Sequence, residues 1–310
     1  MDMRRLKVCI LYLMLGAGLM GQSNIRLNNY WSDMHGITPA WIYDRYKAVF
    51  NLSARKQWLG VEGAQTTFFA SGSTYLEDYH TQLGLSLLQD KIGYTSLTNI
   101  NFSYAYAVTL DYLWQMHLGV GGNYQMVGYD ASKIITESDV DPILYSRLNS
   151  TGAFDADLGL EFSSKLWKIG ASSQNLIAAF DKQQALQTNT NFLYSRYRTD
   201  YMGLFNWSAG LCGIQYANIY QAELNFTGYF KYSLNNGLTD KPDLFDIGVF
   251  YRTRSQAGMI FGINVSEDLH VAYSYDYHFG SLRRGNYGTN EITLTYNLQR
   301  RPICHNCWYE

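Results

Sequence analysis

Beyond its first 21 residues this chain has no long apolar run. No later stretch approaches the ~18 consecutive apolar residues that a spanning helix needs, and mean hydropathy is -0.22. A helical membrane protein is thereby excluded. Proline is scarce, 4 in 310 residues, and no low-complexity linker divides the sequence, so it reads as one domain. Cysteine is equally scarce at 4. Cys9 lies within the N-terminal apolar stretch, leaving Cys212, Cys304 and Cys307, which is no disulfide framework. Cys304-His305-Asn306-Cys307 has C-x-x-C spacing, compatible with a redox pair, half a zinc site or a small disulfide loop. With no second Cys/His pair at ligand spacing, a disulfide or no role is expected rather than a metal.

The N-terminus has the form of a secretory signal. Arg4, Arg5 and Lys7 precede an apolar stretch, Val8 to Leu15, too short to span a membrane. The small residues Gly16, Ala17, Gly18 and Gly21 follow, and cleavage is expected before Gln22. Cys9 has no small-residue run before it, so a lipid-anchored start is not expected. Without residues 1–21 the chain keeps 21 Lys+Arg and 25 Asp+Glu, a net charge of about −4. That sign argues against nucleic acid as a partner.

What the sequence has in plenty is aromatic residues and a period of two. It carries 27 Tyr, 15 Phe and 7 Trp, and Tyr and Trp favour sites where a ring is apolar at one end and wet at the other. From Ile100 to Leu110 the even positions are Ile100, Phe102, Tyr104, Tyr106, Val108 and Leu110, with Asn101, Ser103, Ala105, Ala107 and Thr109 between them. Such alternation gives an extended strand one oily and one wet face.

The pattern recurs in thirteen segments, at about 46–57, 61–72, 81–88, 100–110, 114–126, 154–162, 166–173, 197–211, 214–234, 244–253, 259–265, 269–279 and 289–298. Single-chain bacterial barrels usually have an even strand count. Fourteen strands are therefore expected, with twelve as the alternative. The fourteenth is expected within 214–234 or 141–150. Short links at 111–113 and 163–165 suit periplasmic turns, and the long polar stretches 127–153 and 174–196 suit outer loops. A soluble sandwich would alternate too. It would rarely need so many long consecutive strands with Tyr and Trp near their ends. The reading is an all-β transmembrane antiparallel barrel over 45–298. An irregular segment, 22–44, precedes it as an interior plug or periplasmic stub, and a periplasmic tail, 299–310, follows it.

In such a barrel apolar rings face lipid, and Asp, Glu, Asn, Gln and Ser face the lumen. Asp155, Asp157 and Glu161 keep their charge only in a wet interior. His270, Ser274 and His278 share the polar face of one strand. Residues i and i+4 there stand ~13 Å apart, too far for direct contact, so lumen lining is expected rather than catalysis. Gly119, Gly121 and Gly122 precede no helix and so form no nucleotide loop; they read as glycines relieving crowding. Asp90-Lys91-Ile92-Gly93 reads as a tight turn at a strand end, with a functional role as the lesser alternative. Arg283-Arg284 is a basic loop tip, solvated or touching lipopolysaccharide phosphate.

Over nearly all of its length after residue 21 the chain resembles the PorP/SprF family of outer-membrane proteins of the type IX secretion system in Bacteroidota. Thr38-Pro39-Ala40 is similar to the family's Asn-Pro-Ala. Arg55-Lys56-Gln57-Trp58 followed by Thr66-Thr67 matches its Arg-x-Gln-Trp…Thr pattern. Asp90-Lys91-Ile92-Gly93 preceding Tyr104-Ala105-Tyr106 matches its Asp-Lys-x-Gly…Tyr-Ala-Tyr. Ile169-Gly170 with Asn175-Leu176 fits an Ile-Gly…Asn/His-Leu pattern. Tyr251-Arg252, Gly262, Tyr273-Ser274-Tyr275-Asp276 and Glu291-Ile292 look like the C-terminal signature. Thr38 replaces the usual Asn, Gln65 the usual Pro, and the tail lacks the usual Cys-Pro. The resemblance implies a non-enzymatic part of a secretion machine, without cofactor or metal. It implies an outer-membrane location, and assistance to cargo with C-terminal sorting domains, including gliding adhesins in some relatives. It further implies association with periplasmic ring and peptidoglycan-linking subunits. A passive channel or ligand transporter is the alternative.

Overall fold

The computed structural model describes residues 26–129, 151–181, 186–201, 203–231, 243–253, 256–279 and 286–299. Residues 1–21, read above as a secretory signal, residues 141–150, Arg283-Arg284 and the Cys304–Cys307 motif lie outside the described residues. Fourteen strands are present: β1 Tyr46–Lys56, β2 Thr66–Leu76, β3 Thr81–Ile92, β4 Thr95–Thr109, β5 Trp114–Tyr129, β6 Thr151–Ser164 and β7 Trp167–Gln174, then β8 Thr190–Arg198, β9 Phe205–Tyr216, β10 Ile219–Phe230, β11 Phe245–Arg252, β12 Gln256–Asn264, β13 Leu269–His278 and β14 Thr289–Gln299. Each pairs antiparallel with its chain neighbours, and β1 closes on β14 through pairs such as Phe50↔Tyr296 and Ser53↔Thr293. Closure leaves no free strand edge, the condition for placing strands in hydrocarbon. Among the described residues no helix is long and apolar enough to cross a membrane.

Alternation decides which side chains face out. On β4, Phe102 is 54% exposed while Ala105 is 1% exposed. On β6, Phe154, Leu158 and Phe162 point outward, and Asp155, Asp157 and Glu161 are buried inside. On β13, Tyr273 and Tyr275 face out, and Ala272, Ser274 and Asp276 face in.

The fourteenth strand is not where the sequence places it. It is β8, which occupies the end of 174–196, read as an outer loop, and the start of 197–211. That last segment is two strands: β8 ends at Arg198 and β9 begins at Phe205. The physical reason lies in β8 itself. Phe192 and Tyr194 point into the barrel while Leu193 points out, so both faces are apolar and the period of two disappears. The stretch 214–234 holds the end of β9 and the single strand β10, joined through Ala217, whose φ is 47°. The rest of 174–196 includes a five-residue helix, α1, Leu176–Phe180. β2 begins at Thr66 rather than Val61, because Gly60 and Gly63, both at positive φ, turn the chain just before it. β5 and β6 run further than read, pairing out to Val127↔Thr151.

The end where β1 begins and β14 finishes is called basal here, and the opposite end distal. Most basal links are short, as at 110–113 and 165–166.

Leu158 lies midway along β6 on the lipid face. Leu158→Arg is expected to lower stability by ~2–4 kcal/mol, measured by denaturant unfolding of barrel refolded into vesicles. An unchanged midpoint would contradict the assignment of that face to lipid.

Candidate functional site

Residues 26–44 run through the barrel interior. They form no strand with the wall, and their only regular element is a 3-10 turn at Met34–Gly36. Asp33 caps that turn, accepting from the His35 backbone N–H at 3.0 Å. Tyr30, Trp31, Met34, Ile37 and Trp41 form an apolar face. It packs on Phe192 and Tyr194 of β8, Cys212, Ile214 and Tyr216 of β9, and Ile219 of β10. The lumen wall is therefore not polar throughout, contrary to the expectation from alternation. It is apolar at Phe192, Tyr194, Cys212, Ile214, Tyr216 and Ile219, where it receives this segment, and each large side chain so buried contributes ~1.5–3 kcal/mol.

On β5 and β6, inward-facing glycines make room for the segment's backbone. Gly119 of β5 and Gly159 of β6 are paired neighbours. A Cβ on Gly119 would stand 2.3 Å from the Ala40 nitrogen, and one on Gly159 would stand 2.6 Å from Thr38 Oγ1. Gly210 accommodates the Trp31 ring in the same way, at 2.7 Å. Gly119 thus relieves crowding, but by an inner segment rather than by neighbouring strands. Gly122 faces outward with nothing near it.

In the distal half, three guanidinium groups meet three carboxylates. Arg26 Nη2 lies 2.9 Å from Glu223 Oε2, which also accepts from Arg252 Nε. Arg252 donates to Asn28 Oδ1 at 2.9 Å and to the Leu27 carbonyl at 3.2 Å. Arg55 donates to the Arg26 carbonyl at 2.5 Å and lies 3.6 Å from Asp276 and 3.9 Å from Glu291. Glu291 accepts the backbone N–H of Asn28 at 2.7 Å and of Asn29 at 2.9 Å. The Asn28 amide donates to Asp276 at 2.7 Å and to Ser274 Oγ at 3.1 Å. All six charged side chains are almost fully buried. Burying that many charges is tolerable because they balance and are hydrogen-bonded.

A second cluster lies towards the basal end. Glu161, fully buried on β6, accepts from Tyr194 OH at 2.7 Å and lies 3.2 Å from His117 Nδ1 and 3.5 Å from Lys168 Nζ. Lys168 also donates to the Ile42 carbonyl and sits 3.8 Å over the Trp41 ring, tying this wall to the segment. Asp155 caps α1, accepting from Ile177 N at 2.7 Å and Ala178 N at 3.2 Å. Asp157 accepts from Asn123, Asn101 and the Asn175 backbone. His270 bonds Asp246 at 2.7 Å. His278 is half-buried at the distal end of β13, its Nε2 without a partner among the described residues. Ser274 meets Asn28 rather than either histidine, so the structure brings no nucleophile and base together there.

The remaining motif positions sort by face. Arg55 and Asp276 belong to the distal cluster, and Pro39 lies against the glycine seat. Gln57 is buried, and its backbone N–H donates to the Gln65 carbonyl at 2.9 Å. Trp58 has φ 51° at the start of the β1–β2 link. Asp90 points inward, accepting from Gln65 and Thr67, and Lys91 is exposed. Gly93, at φ 58°, makes the two-residue β3–β4 turn and bonds Gly63. The turn read at 90–93 is thus confined to Gly93 and Tyr94, because β3 continues to Ile92. Tyr104, Tyr106, Tyr273 and Tyr275 are all on the outer face. Sequence reasoning missed Arg26, Glu223 and Lys168. Glu223 was hidden in a stretch whose strand limits were undecided; an acid alternating with Leu224 and Phe226 was the available signal.

Basally the lumen opens into a cavity of about 1020 Å³, whose wall includes Trp31, Trp41 and Ile42 of the inner segment. Among the described residues no three His, Cys, Asp or Glu are placed to hold a metal.

The model of the family described as type IX secretion system membrane protein PorP/SprF matches residues 19–296. The chain belongs to the PorP/SprF family. No curated protein matches the sequence. Among solved structures, the PorP/SprF chain is similar to the monoaromatic hydrocarbon channel CymD, with 10% identity, 86% of this chain and 92% of that one covered, and TM-score 0.50. It is also similar to outer-membrane protein Omp33 of Acinetobacter baumannii (10% identity, 82% and 98% covered, TM-score 0.47) and to toluene transporter TodX of Pseudomonas putida (9%, 88% and 94%, 0.46). At this identity the likeness is one of fold alone. Fold and family together fit the outer membrane.

Two comparisons test the site. Arg252→Ala should cost ~3–5 kcal/mol by leaving three buried carboxylates to two guanidinium groups, whereas Lys165→Ala, whose pair with Asp200 is exposed, should cost at most ~1 kcal/mol; denaturant midpoints distinguish them. Gly119→Val should destabilise by ~1–3 kcal/mol through overpacking on Pro39-Ala40. Gly122→Val, pointing into open space, should leave the midpoint nearly unchanged.

Proposed function

We propose that this PorP/SprF protein assists export or surface docking of cargo with C-terminal sorting domains, gliding adhesins among them, and that it does so without catalysis. One observation carries this reading: a family barrel whose interior is built to hold its own N-terminal segment. The distal half of the lumen is occupied by Arg26–Asn29 and their six-charge cluster, and the middle by an aromatic core. Ser274, on the inner face of β13 between His270 and His278, is engaged by Asn28. The basal end, with its short turns and open cavity, is the face we assign to the periplasm and to the ring and peptidoglycan-linking subunits. A cleaved signal at residues 1–21 delivers the chain there.

Deletion of the gene should leave sorting-domain cargo inside the cell while small-solute permeability stays unchanged, read by immunoblotting of medium and cell fractions. Normal cargo export in the deletion strain would end the proposal. Orientation has its own readout. A cysteine placed at Tyr112, in a basal turn, should react with an impermeant maleimide only after the outer membrane is permeabilised. One at Ala217, in a distal turn, should react in intact cells. The reverse pattern would move the partner surface to the other end.

A further inference from the structure

We propose that residues 26–44 are a displaceable stopper, latched by the Arg26–Glu223 cluster, and that the lumen conducts only when this segment leaves its seat. The inference does not depend on the secretion role. It rests on how the segment is held. The wall is complete without it: fourteen strands close through β1 and β14, and no wall backbone hydrogen bond is made by the segment in strand form. Its removal therefore breaks side-chain contacts but leaves the cylinder's backbone pairing intact.

The latch is electrostatic and balanced. On the wall, Glu223, Asp276 and Glu291 face Arg55 and Arg252, an excess of one negative charge that Arg26 of the segment neutralises. Removing two wall carboxylates reverses that excess and sets Arg26 against Arg55 and Arg252, so the same pocket then repels the segment. The seat is also imperfect. Trp31 Nε1 and Asn29 Nδ2 are buried with no acceptor among the described residues, so leaving the seat recovers their hydration. Finally, the segment can be reached. Trp41, Ile42 and Tyr43 line the basal cavity just before the chain enters β1.

Cys212 supplies a built-in reporter. It is a free thiol, fully buried on the lumen face of β9 within the apolar core that holds Tyr30 and Trp31. With the segment seated it is shielded; with the segment gone it faces the lumen. The experiment uses the full exported chain carrying C304S and C307S, refolded into planar bilayers for conductance and into vesicles for maleimide labelling. Heat-modifiable gel mobility checks the barrel. The parent should give no steady conductance and a protected Cys212. E223Q/E291Q should give discrete openings and label Cys212 at least tenfold faster. R26E, which opposes a carboxylate to Glu223 and alters only the segment, should do the same and serves if the wall variant does not fold. Steady conductance in the parent would overturn the proposal. So would a folded latch variant that stays silent with Cys212 protected, or one in which conductance and Cys212 exposure appear separately.

Discussion

Hydrocarbon offers no hydrogen-bond partner to a peptide group, and the architecture follows from that. Every strand must pair on both sides, so the sheet has to close, and here β1 meets β14 to do so. The pleat alternates side chains along each strand, and closure turns one set to lipid and the other to the lumen, with Phe102, Leu158 and Tyr273 outside and Ser103, Asp157 and Ser274 inside. The even strand count places chain entry and exit at one end. The short links at 110–113 and 165–166 share that end.

Closing fourteen strands creates a second problem. An eight-stranded barrel can be filled by its own side chains, whereas sixteen to eighteen strands leave an aqueous channel. Fourteen strands enclose too much space for wall side chains alone. This chain fills the gap with its own residues 26–44. The wall is shaped to match, with glycines at Gly119, Gly159 and Gly210 where the segment comes close, and with Phe192, Cys212 and Ile214 where its aromatic side is buried. The lumen is thus a core on one side and a polar lining on the other.

The charges inside obey the same economy. Glu161 is tolerated because Tyr194, His117 and Lys168 surround it. Glu223, Asp276 and Glu291 are tolerated because three arginines and the Asn28 and Asn29 amides answer them. Contacts that make burial affordable also register the segment against five strands, and so position it more narrowly than apolar packing alone would.

Side-chain alternation needs only neighbouring residues, so the sequence by itself determined the class and the closed barrel; alternation marked thirteen segments, and only the even count expected of such barrels supplied the fourteenth. The sequence also carried the family motifs, because these are local strings. It failed at β8, where Phe192, Leu193 and Tyr194 put apolar groups on both faces and erased the period. What only the tertiary structure decided is the interior. Arg26 meets Glu223, Asn28 meets Glu291, and Pro39-Ala40 meets Gly119 across gaps of tens to hundreds of residues. No periodicity encodes such meetings; they exist only once closure has brought distant strands around the segment they hold.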